Sequence, residues 1–375
     1  MRRWFCSLLV LAGLVALAAC AAEEKATPAP AGPTGGAAPW QEEWDRVVAA
    51  TKREGRIAIS GPAGDEPRRA LEGFEKKFGI QVEYLGGRGP EFTERVRTER
   101  AAGQYLWDIQ MGGLTHWIPV LDEGILEPIE PALILPEVKD PKTWRLGKLY
   151  WIDDQKRILG MGMSTSNPLF INPNLVKPGE LKSFKDLLDP KWKGKLLSDD
   201  PRIAGASQSQ YTMFYLHPAL GPEFIRALAK QDISITRDRR QQLEWLAQGR
   251  FPILIGGSRS NAVPLIKQGL PIENVDPRTL KEGAAVAVGN SHLFLMNRAP
   301  HPNAAKLFIN WLLTKEGAYE FLKSQGIPSL RVDVQADYVE DWELPQEGYI
   351  RVDGLEVHKM RDVVAKLTEE VFAGR

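Results

Sequence analysis

Three times between residues 56 and 121 the chain repeats one event: a short extended run, a glycine-rich turn, then a segment with helical spacing. The runs are 56–60 (RIAIS), 80–85 (IQVEYL) and 107–110 (WDIQ). The turns hold Gly61 and Gly64, then Gly86, Gly87 and Gly89, then Gly112 and Gly113. The helical segments are 66–78, with Leu71, Phe74 and Phe78 on one face, then 91–102, then a stretch capped by Thr115 and running to Leu121. Strand–helix alternation of this kind predicts a mostly parallel sheet covered by helices. In such sheets ligands bind beyond the carboxyl ends of the strands. The candidate ligand residues on this side are therefore Ser60, Gly61, Gly87, Arg88, Gly113 and Thr115. Glycine lets a ligand approach the backbone, and free N–H groups at helix starts suit an anion.

A second run of alternation follows a stretch with no charged residue, 158–176 (ILGMGMSTSNPLFINPNLV). With three Asn, two Ser, a Thr and two Pro it is too polar to span a bilayer. It reads as an extended crossover buried between two bodies of protein. Beyond it, strands at 195–198, 233–236 and 251–256 alternate with helices at 206–217, 221–230, 240–248 and one ending near 268. Polar helix starts again follow strands, so Ser207, Gln208, Ser258 and Arg259 are the candidates from this side. A return runs through 284–288 and 292–297 with Gly289 between as a hinge. Arg88 and Arg259, one from each body, would bind a carboxylate, sulfonate or phosphonate with the two-pronged guanidinium fork. Arg237 and Arg239 are a weaker third choice.

The amino terminus reads as an address. A basic Met1-Arg2-Arg3 precedes an apolar run from Phe5 to Ala19, the layout of a secretory signal peptide over 1–19. Leu17-Ala18-Ala19-Cys20 resembles the bacterial lipobox, which predicts lipidation of Cys20 and a disordered Ala-, Pro- and Gly-rich tether over 20–39. Both cysteines, Cys6 and Cys20, lie here, so the folded body has no disulfide or thiolate chemistry. Lys plus Arg and Asp plus Glu number 48 each. That balance argues against nucleic acid and leaves the lipid anchor as the sole expected membrane contact.

The segments 42–60 (EEWDRVVAATKREGRIAIS) and 70–113 (ALEGFEKKFGIQVEYLGGRGPEFTERVRTERAAGQYLWDIQMGG) resemble extracellular solute-binding proteins of ABC importers. DEGILEPIEP at 122–131, DLLDPKWKGKL at 186–196 and APHPNAAKLFINWLLTKEGAYEFL at 299–322 extend the likeness, which covers about residues 40–335 and points to the branch that includes the iron(III)-binding proteins. The resemblance implies the type II periplasmic-binding fold: two α/β lobes, a hinge of two crossovers, closure on one small-molecule ligand, and an ABC permease as partner. Expected boundaries are 40–157 for the first part of lobe 1, 158–289 for the crossover and lobe 2, 290–335 for the return, and 336–375 for an extension whose helix would pack on the first lobe. A monomer in the periplasm or on the cell surface is expected.

The iron-binding relatives use an adjacent tyrosine pair. No Tyr-Tyr occurs here, Tyr211 and Tyr215 are explained by a helix face, and the five histidines show no metal-ligand spacing. The expectation is therefore an anionic ligand rather than iron, with no cofactor. An enzyme is not expected: GASQS at 205–209 and GGSRS at 256–260 lack the closing glycine of a nucleophile elbow. A secreted α/β hydrolase and a receptor for a membrane sensor are the rival readings.

Overall fold

The structure, a computed structural model, describes residues 38–166, 169–177, 179–203 and 205–374. The predicted signal peptide, Cys20 and nearly all of the tether lie outside the described residues.

In chain order the strands are β1 (Arg56–Pro62), β2 (Gln81–Gly87), β3 (Ile109–Gly112), β4 (Leu126–Glu127) and β5 (Tyr150–Trp151). Next come β6 (Ile158–Gly160), β7 (Ser164–Thr165), β8 (Leu169–Ile171), β9 (Leu196–Ser198) and β10 (Ser234–Ile235). The last are β11 (Ile253–Ile255), β12 (Glu273–Asn274), β13 (Ala285–Ala287), β14 (His292–Met296) and β15 (Ile350–Arg351). One sheet has the order β2-β1-β3-β14-β6-β5, with β4 beside β14. There β1, β2 and β3 are parallel and β14 runs against β3 and β6. The other has the order β10-β9-β11-β8-β12, with β8 antiparallel to β11. Each sheet anchors one lobe.

The charge-free stretch holds three strands in three different sheets. β6 belongs to the first lobe and β8 to the second, while β7 pairs antiparallel with β13 of the return, Val286 opposite Thr165 and Ala287 opposite Ser164. Apolar and small residues are needed there because the segment is enclosed: Met161 and Met163 are buried, and a Cβ on Gly162 would lie 2.8 Å from both Ile327 and the Pro328 carbonyl. Gly289, at φ +63°, turns the return from hinge to β14. β15 joins β13 in parallel, so the hinge ladder has three strands.

One core gathers Ile57, Phe74, Leu159, Phe308, Trp311 and Phe321 in the first lobe. The second gathers Phe184, Leu196, Tyr211, Phe214 and Ile253. Val364, Leu367 and Phe372 belong to this second core. The C-terminal helix Leu355–Val371 therefore packs on the second lobe, not the first as expected. Its apolar face meets the helix Ala206–Leu216, with Phe372 edge-on to Tyr211 at 5.9 Å.

Other local departures have visible causes. The third strand starts two residues later than expected because Asp108 is taken by its own contacts. Its carboxylate accepts from the Ala58 N–H (2.8 Å) and the His301 N–H (2.7 Å). The segment 66–78 divides into Asp65–Arg69 and Glu72–Phe78, bridged by Arg68 and Glu75 at 3.0 Å. Thr115 lies in a turn ahead of the 3-10 helix Ile118–Glu123 and does not cap it.

Candidate functional site

A cavity of about 360 Å³ lies beyond the carboxyl ends of β1, β2 and β3. Of the predicted residues, Ser60, Gly61, Gly87, Arg88 and Gly113 line it. Arg88 holds the N-cap position of the helix Gly89–Ala101 in an extended conformation, with Pro90 pre-setting the first turn. Its side chain is 82% exposed, and its ion pair to Glu91 is long at 3.6 Å. Such a surface pair is worth little, so the guanidinium is available to a ligand.

Two of the glycines are explained by neighbouring side chains. A Cβ on Gly61 would collide with the Tyr84 hydroxyl, which donates to the Pro62 carbonyl at 2.7 Å. A Cβ on Gly89 would enter the His116 imidazole. His116 is thus wedged under the helix start. Burial holds its pKa down to about 4, so the ring is neutral at pH 7, and its Nε2 has no partner among the described residues. Gln110 completes this wall, accepting from the Trp117 indole N–H at 2.8 Å while its amide donates to the Met111 carbonyl.

A second cavity, of about 260 Å³, meets the first at Gly113 and Asn290 and opens between the lobes. Thr115 lines it from the first lobe and Ser209 from the second. His292 lines it from the return and Arg361 and His358 from the C-terminal helix. His292 is almost wholly buried, which lowers its pKa. Its Nδ1 faces the Gly112 and Gly289 carbonyls at 3.2 and 3.1 Å, so Nδ1–H is the donor and Nε2 is left as an acceptor without a partner among the described residues.

The second-lobe residues expected at the site are placed elsewhere. Ser207 is buried, its hydroxyl donating to the Asp199 carbonyl at 2.8 Å. Gly256, at φ +69°, presses so close that a Cβ there would lie 2.5 Å from the Ser207 Cα. Gln208 lines neither cavity; Ser209, one residue on, does. Ser258 is the N-cap residue of the helix Arg259–Lys267. Arg259 is not brought to Arg88: its Nη2 pairs with Glu343 of the C-terminal extension at 2.6 Å, and its guanidinium lies 5.4 Å from the Trp342 ring centre. Arg237 is held by Asp200 at 2.9 Å. Sequence reasoning missed Gln110, Asn290, Ser209, His358 and Arg361. Only Ser209 carried a signal, as part of the polar helix start.

Residues 58–319 match the family model described as bacterial extracellular solute-binding protein. Iron uptake protein A1 of Synechocystis sp. is 24% identical over 281 residues, 68% of this chain and 72% of that protein. The Trichodesmium protein IdiA (FutA), solved in complex with iron and citrate, is 20% identical with a TM-score of 0.61, covering 84% of this chain and 99% of that one. AfuA of Actinobacillus pleuropneumoniae, solved with fructose-6-phosphate bound, is 19% identical with a TM-score of 0.53, covering 85% and 99%. With iron in two of these three names, the expectation against iron has no support from the relatives. With the family model spanning most of the folded body, the chain belongs to the bacterial extracellular solute-binding proteins: it is a two-lobed receptor of the type II periplasmic-binding fold serving ABC import, not an enzyme.

Proposed function

We propose that the chain is an extracytoplasmic receptor, anchored as a monomer through a lipidated Cys20, that closes on a small anionic solute and delivers it to an ABC permease. The observation that carries the ligand class is the convergence of the Arg88 guanidinium and the amino end of the helix Gly89–Ala101 on one cavity. Both present positive charge and N–H donors to the same space. The anchor rests on the Leu17–Cys20 tetrapeptide at the end of an apolar run.

Among the described residues no three His, Cys, Asp or Glu side chains gather to hold a metal, and no tyrosine lines either cavity. This supports an organic anion, and the iron-named relatives make ferric ion the competing arm of the test. The experiment is a thermal-shift screen of the full chain against organic acids, phosphate esters, sulfonates, neutral sugars and ferric ion. A ligand at a hundredfold over its Kd stabilises by about 2.7 kcal/mol. Anions alone are expected to raise the melting point, and Arg88→Ala is expected to weaken them roughly ten- to a hundredfold. A shift with ferric ion alone, or with neutral sugars alone, refutes the anion.

A further inference from the structure

The C-terminal helix Leu355–Val371 lies beyond the family match at residues 58–319, yet it lines the interlobe cavity. His358 and Arg361 are three apart and so lie on one face of the helix. Helical side chains lean toward the amino end, and Arg361 does so, its Nη2 reaching back to the Val352 carbonyl at 2.8 Å. This brings the guanidinium beside the helix start, where Gly354 also lines the cavity.

Arg361 makes no direct ion pair among the described residues; the nearby Asp353 carboxylate acts on it only through space, without a contact. Arg157 and Arg331, which are buried where Arg361 is half-buried, are neutralised by Asp153 at 2.7 Å and Asp333 at 2.8 Å. The Arg361 Nε is buried with no partner among the described residues, and burial lowers the pKa of the group. The acidic residue lining the same cavity, Asp353, has its oxygens taken by the Val288 N–H at 2.7 Å and the Tyr150 hydroxyl at 3.2 Å. A guanidinium drawn part-way out of water gains when an opposite charge meets it directly. The cavity in front of it, with the Thr115 and Ser209 hydroxyls on its other walls, has the size and polarity for a small oxyanion.

We propose that Arg361, with His358 one turn before it, binds the carboxylate or phosphoryl group of the solute, so that the C-terminal extension supplies the second lobe's grip on the ligand. This rests on the reading of the chain as a receptor for an anion. Arg259, fastened to Glu343, does not take that part.

The test is calorimetric titration of the full chain with a panel of organic acids, including citrate, and of phosphate esters, including fructose 6-phosphate. The two arms distinguish carboxylate from phosphoryl recognition. Arg361→Gln is expected to weaken the bound anion about tenfold or more, with Arg361→Lys falling between it and the wild type. Unchanged affinity in Arg361→Gln while Arg88→Ala weakens binding overturns this inference and leaves the receptor for anions standing. A wild-type chain that binds no member of the panel overturns both. Should Arg361→Gln lose its fold through the Val352 contact, His358→Gln carries the test, and unchanged affinity there overturns the proposal.

Discussion

Replacing Asp353 by alanine cuts a side chain that ties the extension, the hinge and the first lobe together. One carboxylate oxygen accepts from the Val288 N–H at 2.7 Å, next to β13, and the other from the Tyr150 hydroxyl of β5 at 3.2 Å. Burial and the nearby Asp353 carboxylate push the Tyr150 phenol well above its usual pKa, so it remains a donor throughout the ordinary pH range. A hydrogen bond to a charged group contributes about 1.5–3 kcal/mol, and the long tyrosine contact belongs nearer 0.5–1.5 kcal/mol. Their sum puts the loss at about 2–4 kcal/mol. A folded body of roughly 340 residues has an unfolding entropy near 0.7 kcal/mol/K, so the midpoint should fall by about 3–6 °C. Tyr150→Phe removes only the longer bond and should cost about 1–2 °C. Asp353→Asn keeps an acceptor for Val288 and should fall between the two. Scanning calorimetry of the three variants reads these values. An Asp353→Ala protein that melts within about 1 °C of wild type, or a Tyr150→Phe protein that loses as much, would refute the assignment of the fastening to this carboxylate.

Two further expectations follow from buried charge. Burial holds His116 at about 4 in the folded protein, against about 6.5 in an unfolded chain. The unfolded state therefore takes up the proton first, so stability is full above pH 6.5 and is lost as pH falls toward 4. His116→Gln should flatten that slope in urea titrations at stepped pH, and a slope unchanged by the substitution would acquit the residue. Arg259→Gln strips Glu343, which is 5% exposed, of its partner and should cost about 1–3 kcal/mol. Protease cleavage within 336–354 should quicken while anion affinity stays as in the wild type; a loss of affinity would return Arg259 to the site.

What the sequence could show depended on how far each residue's partner lies along the chain. The parallel order of β1, β2 and β3 is legible because strand, turn and helix are written contiguously. That β14 completes this sheet is not, since it returns from the far side of the second lobe and pairs with β3 by register alone. The crossover is legible because a charge between the lobes would be stranded from water, and 158–176 carries none. At the second lobe the expected helix start does line a cavity, but through Ser209 rather than Ser207 or Gln208. Successive helical residues point about 100° apart, so Ser207 falls against Gly256 while Ser209 reaches the cavity. Arg259 misled for a different reason: its partner Glu343 sits in a segment whose position no local pattern fixes. Which lobe the C-terminal helix covers is not legible either, because an apolar helix face does not name its partner. Val363 is exposed, and Val364, Leu367 and Phe372 carry the packing.

The extension changes what closure of such a receptor involves. A ligand shifts the balance of open and closed forms only by contacting one better than the other. Here β7 and β13 share just two residue pairs, so few backbone bonds resist bending. β15 adds two more pairs, Ala285 with Ile350 and Val286 with Arg351, and so stiffens the return crossover while β7 stays at the edge. From β15 the chain passes through Asp353, bonded to both the hinge and the first lobe, directly into the helix that carries His358 and Arg361. That helix is packed into the second core through Val364, Leu367 and Phe372, and must move with it. Ligand grip and hinge geometry are thereby set by one continuous segment. Asp353→Ala should consequently alter anion affinity as well as stability, whereas a core substitution such as Phe224→Ala, which lines neither cavity, should lower stability and leave the affinity of the folded fraction unchanged. Equal effects of the two substitutions on affinity would mean that the extension is a passive strap and takes no part in closure.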